Sequence, residues 1–103
     1  MRRFEMGQLV ATAGVNEWIA GDDDKMAIRS ATLMRMLRRY QVCDWGEVDE
    51  EDCEANNIAV EEGQRIVASY VLEEDIRPVG ERKVWIITEW DRSVTTVLFP
   101  SEY

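Results

Sequence analysis

The strongest constraint on this chain is a change of side-chain pattern at Gly63. Beyond it, the runs Arg65 to Leu72, Lys83 to Thr88 and Val94 to Phe99 are rich in Val, Ile, Thr and aromatic residues, which fit a pleated surface. They are joined by a polar loop, Glu73 to Arg82, and by a five-residue turn, Glu89-Trp90-Asp91-Arg92-Ser93. Local connections of this kind predict an antiparallel meander. Within Val84-Trp85-Ile86-Ile87 both alternating faces are apolar, so this is expected to be a central strand covered on both sides. The helices would cover one side, and the N-terminal strand and loops, or a second copy of the chain, the other.

Before Gly63 the pattern is helical. Thr12 is placed to cap a brief helix through Val15, Trp18 and Ile19 to Gly21, and Asp22, Asp23 and Asp24 open the next. From Lys25 to about Tyr40, residues Met26, Leu33, Met34, Met36, Leu37 and Tyr40 fall within one arc at 3.6-residue periodicity, the expected core face. Asp49-Glu50-Glu51-Asp52 stands at the mouth of a third helix with Cys53, Ala55, Ile58 and Ala59 on its apolar side, and Gly63 ends it. The expectation is one α+β domain over residues 1–103: three N-terminal helical segments packed on a C-terminal antiparallel three-stranded meander, with Gly7 to Thr12 available as a short added strand.

Charge is the second constraint. Of 21 acids and 12 bases, nine acids and no base lie between Asp44 and Glu62, so this segment holds the whole net charge of −9. A field of one sign attracts basic partners and repels nucleic acid and anionic lipid; the structural alternative is that acids in a first helical turn stabilise that helix through its dipole and keep a small protein soluble. No stretch approaches the roughly 20 apolar residues of a membrane helix, and Met1 to Gln8 lacks the apolar run of an export signal, so a cytoplasmic protein is expected. Cys43 and Cys53 then read as packing residues.

The chain has no histidine, which removes the usual neutral-pH acid-base group and the Ser-His and Cys-His pairs. Its glycines form no phosphate loop, and Asp49 to Glu54 lacks the spacing of a calcium loop. No catalytic residue, metal or cofactor is assigned. A candidate site cluster remains: Asp44, Trp45, Arg65, Tyr70, Glu89, Asp91, Arg92 and Ser93. Its structural alternative is that Asp91 and Ser93 bond the turn backbone while Arg92 pairs with Glu89 or with the Asp44 loop.

The elements Gly7-Gln8-Leu9-Val10-Ala11-Thr12, Asp44-Trp45-Gly46, Gly63-x-Arg65-Ile66-x-x-Ser69-Tyr70, Trp85-Ile86-Ile87-Thr88-Glu89-x-Asp91-Arg92-Ser93-x-Thr95 and Leu98-x-Pro100-x-Glu102-Tyr103 resemble a family of small bacterial proteins carried on plasmids and integrative elements. The resemblance spans most of the chain and implies a mobile-element context rather than a mechanism. This chain departs from that pattern at Tyr40, where the family often has histidine, at Trp90, where it often has alanine, and at Cys43, where glycine is expected.

Three functions compete on these residues. The first is a non-catalytic interaction module that binds a basic protein surface through Asp49, Glu50, Glu51, Asp52 and Glu54, inhibiting a host nucleic-acid-binding or defence protein. The second is a nucleic-acid-binding protein or small ribonuclease-type toxin, with Arg35, Arg38 and Arg39 on phosphate; the overall charge opposes it. The third is a small-molecule pocket near Trp45, Tyr70 and Trp85. A homodimer is compatible with each.

Overall fold

The computed structural model describes residues 4–103, so Met1-Arg2-Arg3 of the segment read for an export signal lies outside it. In chain order the elements are β1 (Gln8–Ala11), α1 (Ala13–Ala20), α2 (Met26–Gln41), α3 (Glu50–Glu62), β2 (Ile66–Val71), β3 (Lys83–Thr88) and β4 (Val94–Leu98), then a 3-10 turn over Pro100–Glu102. The class is α+β.

The expected antiparallel three-stranded meander is corrected in both extent and direction. The sheet is mixed and four-stranded, in the order β1-β4-β3-β2. Strands β2, β3 and β4 are antiparallel, whereas β1 lies parallel to β4, with Gln8 opposite Val94 and Ala11 opposite Val97. A three-stranded meander would leave the main chain of β4 as an open edge, and β1 closes it. Gly7 makes the approach feasible: its φ is +63°, and a Cβ there would sit 2.2 Å from the Arg92 carbonyl oxygen.

The sheet register divides the side chains cleanly. Ile66, Ala68, Tyr70, Val84, Ile86, Thr88, Thr95 and Val97 share the inner face, and all are fully or almost fully buried. Val15 and Trp18 of α1, Met36, Leu37 and Tyr40 of α2, and Ala59 of α3 belong to the same core. Its polar members are satisfied in series: the Tyr40 and Thr88 hydroxyls lie 2.7 Å apart, those of Thr88 and Thr95 2.7 Å apart, and the Thr95 hydroxyl donates to the Met6 carbonyl at 2.6 Å. Burial raises the pKa of Tyr40 well above its ordinary value, so it stays neutral.

Helix α1 is capped as its sequence suggests, the Thr12 side chain accepting from the Val15 N–H. The broad arc expected for α2 is narrower. Met26 and Met34 are exposed, and the buried positions are Thr32, Met36, Leu37 and Tyr40. The three aspartates form a turn ahead of the helix, with the Asp22 carboxylate accepting from the Asp24 N–H, rather than its first turn. At the other end Cys43 adopts φ +66°, the left-handed conformation that favours glycine. Cys43 and Cys53 both pack partly against the core.

The outer face carries Val67, Ser69, Trp85, Ile87, Thr96 and Leu98. The C-terminal segment folds back over it, placing the Tyr103 ring edge-on to Trp85 with centroids 5.6 Å apart. β3 is therefore covered on both sides, the outer side in part by the end of its own chain.

Candidate functional site

Helix α3 carries the acidic field, and two asparagines fix its position. Asp49 is the N-cap, accepting from the Asp52 N–H at 2.8 Å, and Gly63 ends the helix at φ +71°. The inward side consists of Cys53, Asn56, Ala59 and Val60, while Ala55 and Ile58 face solvent, which corrects the apolar side read from the sequence. Asn56 is 6% exposed; its amide donates to the Val67 carbonyl at 2.8 Å and accepts from the Val67 N–H at 3.2 Å. One side chain thus pairs both outward main-chain groups of an edge-strand residue. Asn57 accepts from the Trp45 indole N–H at 3.0 Å.

The loop before α3 covers the rest of that edge. The Glu47 N–H donates to the Ser69 carbonyl at 2.6 Å and the Ser69 N–H to the Trp45 carbonyl at 3.2 Å, forming a short parallel bridge at Gly46. Gly46 is required for this: at φ +75° a Cβ would lie 2.2 Å from the Ser69 carbonyl oxygen. Behind the loop, Asp44 takes a bidentate contact from Arg39 at 2.8 and 3.2 Å. That contact raises the Arg39 pKa and, helped by the Gly46 N–H, holds the Asp44 carboxyl below its ordinary value. The Tyr70 hydroxyl donates to the Asp44 carbonyl at 2.7 Å, and the Arg39 guanidinium lies over the Tyr70 ring.

Between the start of α3 and the outer sheet face lies a cleft of about 480 Å³. Glu47, Asp49 and Asp52 form its acidic wall, Val67, Ser69 and Trp85 its sheet floor, and Lys83 contributes the one base. Ser69 is 7% exposed and its hydroxyl oxygen has no hydrogen-bond partner. Among the described residues, no three His, Cys, Asp or Glu side chains converge closely enough to hold a metal ion.

The sequence-derived cluster separates into three parts. Asp44, Trp45 and Tyr70 join Arg39 at the covered edge of β2. Arg65 pairs with Glu89 at 3.5 Å on the outer face and donates to the Tyr103 hydroxyl at 2.7 Å. Asp91 and Ser93 close the turn: the Asp91 carboxylate accepts from the Ser93 hydroxyl at 2.6 Å and the Ser93 N–H at 3.0 Å, and these bonds lower its pKa. Arg65, just before β2, and Tyr70, within it, are five residues apart, about 16 Å along an extended chain, and Tyr70 belongs to the inner face. Phe4 lies between the turn and the loop, its ring 5.8 Å from Trp45 and 6.0 Å from the Arg92 guanidinium.

Among the described residues Arg92 forms no ion pair with a carboxylate. Its guanidinium donates to the carbonyls of Ala59, Gln64 and Glu89 at 2.7, 2.6 and 3.1 Å, fastening the turn to the end of α3. Trp45, Tyr70 and Trp85 do not line one pocket either, because Tyr70 belongs to the inner face and Trp85 to the outer. Of the acidic-helix residues, Asp49 and Asp52 border the cleft, while Glu50, Glu51 and Glu54 are exposed. None of Glu50, Glu51, Asp52 and Glu54 forms an ion pair with a described residue. Sequence reasoning missed Asn56, Asn57 and Ser69. The available signal was an Asn pair inside a helix, where asparagine is unfavourable unless it bonds elsewhere.

Among the described residues no helix is long and apolar enough to cross a membrane. Compared with known protein families, curated proteins and solved structures, the chain matches none.

Proposed function

We propose that this chain is a cytoplasmic protein-interaction module that presents the acidic side of α3 to a basic protein surface. The observation that carries the reading is the division of labour on the helix. Asn56, Asn57 and Ala59 dock it and Asp49 caps it, leaving Glu50, Glu51 and Glu54 exposed and without an ion pair to a described residue, although Glu50 and Glu51 also favour the helix dipole from its first turn. Carboxylates held on a rigid helix with no ion pair to a described residue attract a basic surface and speed its approach. In the mobile-element setting that the sequence resemblance implies, the partner is a host defence or nucleic-acid-binding protein whose phosphate-binding cleft the carboxylates occupy.

Direct nucleic-acid binding has less support, because Arg39 is bonded to Asp44 and Arg92 to main-chain carbonyls. The test is capture of protein from a bacterial host lysate on the immobilised chain, beside a variant carrying Glu50→Gln, Glu51→Gln and Glu54→Gln. The variant keeps its circular dichroism and melting temperature but loses a partner that salt elutes from the parent. Equal capture by a folded variant refutes the reading.

A further inference from the structure

We infer that the cleft between the start of α3 and the outer sheet face is a binding site for an organic cation, an alkyl guanidinium or ammonium group. The inference rests on the reading of the acidic segment as a surface for basic groups, and assigns it a specific pocket. Three features carry it. First, the cleft is concave and about 480 Å³, ample for the end of one arginine or lysine side chain. Second, Glu47, Asp49 and Asp52 outnumber Lys83 in its lining, and the flexible Lys83 stem can move its ammonium to solvent. Among the described residues the Asp49 carboxylate accepts one bond, from the Asp52 N–H, so it retains acceptor capacity.

Third, Ser69 brings an unpaired hydroxyl to the cleft. Its side chain projects from the outer sheet face beside its cross-strand neighbour Trp85, its residue lines the cleft, and its hydroxyl oxygen is buried without a partner. A buried hydroxyl without a bond is unfavourable in a settled fold. A serine hydroxyl reorients by rotation about one bond, so an N–H donor in the cleft can complete its bonding. The Trp85 indole supplies a face on which a planar guanidinium stacks, and its other neighbour, Tyr103, holds it edge-on. Among the described residues no three carboxylates converge closely enough to hold a metal ion.

The source of the cation is either a side chain of a basic protein or a free small molecule, and the experiment separates them. Agmatine, spermidine and an arginine-rich peptide are titrated against the 15N-labelled chain while the Trp85 indole N–H resonance is followed. The expected result is a saturable shift with agmatine at millimolar concentration or below. The double variant Glu47→Gln/Asp52→Asn weakens it about tenfold or more, and Ser69→Ala weakens it severalfold without lowering the melting temperature. Saturation by the free cations identifies a small-molecule site. Saturation by the peptide alone, with the same sensitivity to Ser69→Ala, identifies a side-chain pocket. No saturation by any probe up to about 10 mM, or binding unchanged in both cleft variants, overturns the proposal. The variant at Glu50, Glu51 and Glu54 leaves the cleft intact. Its loss of partner capture therefore fails or succeeds separately from agmatine binding.

Discussion

Replacing Asn56 with alanine tests how α3 is held. The amide makes two hydrogen bonds to the Val67 main chain, at 2.8 and 3.2 Å, from a side chain that is 6% exposed. Alanine removes both partners at once. Each stranded peptide group costs about 1–2 kcal/mol, giving roughly 2–4 kcal/mol in total. Alanine is the better helix former by about 0.6 kcal/mol, which offsets part of the loss. A net loss of about 2 kcal/mol is expected. In urea, with a slope of about 1–2 kcal/mol per molar, the midpoint falls by about 1–2 M, and the melting temperature drops by about 8 °C or more. Hydrogen exchange gives the local readout: the Val67 amide loses protection while that of Ile86, in central β3, follows only the global change. A loss below about 0.5 kcal/mol, or unchanged Val67 protection, would refute the view that this amide docks the helix.

Two further outcomes follow from the same contacts. Arg92→Lys removes a planar fork that reaches three carbonyls and replaces it with a point charge, so stability should fall by about 1–3 kcal/mol in a urea melt even though the charge is kept. Asp44 has a depressed folded pKa, so its pairing with Arg39 adds stability above the unfolded carboxyl range, near pH 4, and that stability is lost as pH falls through the lower folded value. Asp44→Asn should therefore flatten that part of the acid limb in stability measured against pH. The effect is small because both side chains are about half exposed, and an unchanged limb would show that the pair contributes nothing.

The α+β class was legible because the side-chain pattern changes at Gly63, and the three C-terminal strands were legible because each is rich in Val, Ile, Thr or aromatic residues. The pairing of β1 was not. Gln8–Ala11 meets Val94–Leu98 across almost the whole chain, and no turn residue between them signals a parallel partner. Arg92 was misread for a related reason. A guanidinium beside two carboxylates in sequence suggests ion pairing, yet the turn places Glu89 against Arg65 and directs Arg92 to the open carbonyls at the end of α3. The cleft was legible only in its acids; Ser69 and Trp85 reach it through strand register, which depends on which face the helices cover.

The weak apolar side of α3 is the feature that ties fold to proposed function. A helix docked by greasy contacts can roll or slide by small amounts, because dispersion is not directional. One docked by Asn56 on Val67 and Asn57 on Trp45 is fixed by bonds that require particular angles. That rotation sets Asp49 and Asp52 over the sheet beside Ser69 and Trp85, and turns Glu50, Glu51 and Glu54 outward. Mutual repulsion within the acidic segment then opposes folding, since none of the outward three is paired with a described residue. Relief of that repulsion opposes the loss of the favourable first-turn placement of Glu50 and Glu51, so neutralising all three should change stability by no more than about 1 kcal/mol, and less as salt increases. A clear fall in stability would mean that these carboxylates hold the fold, and would remove the main reason for assigning them to a partner.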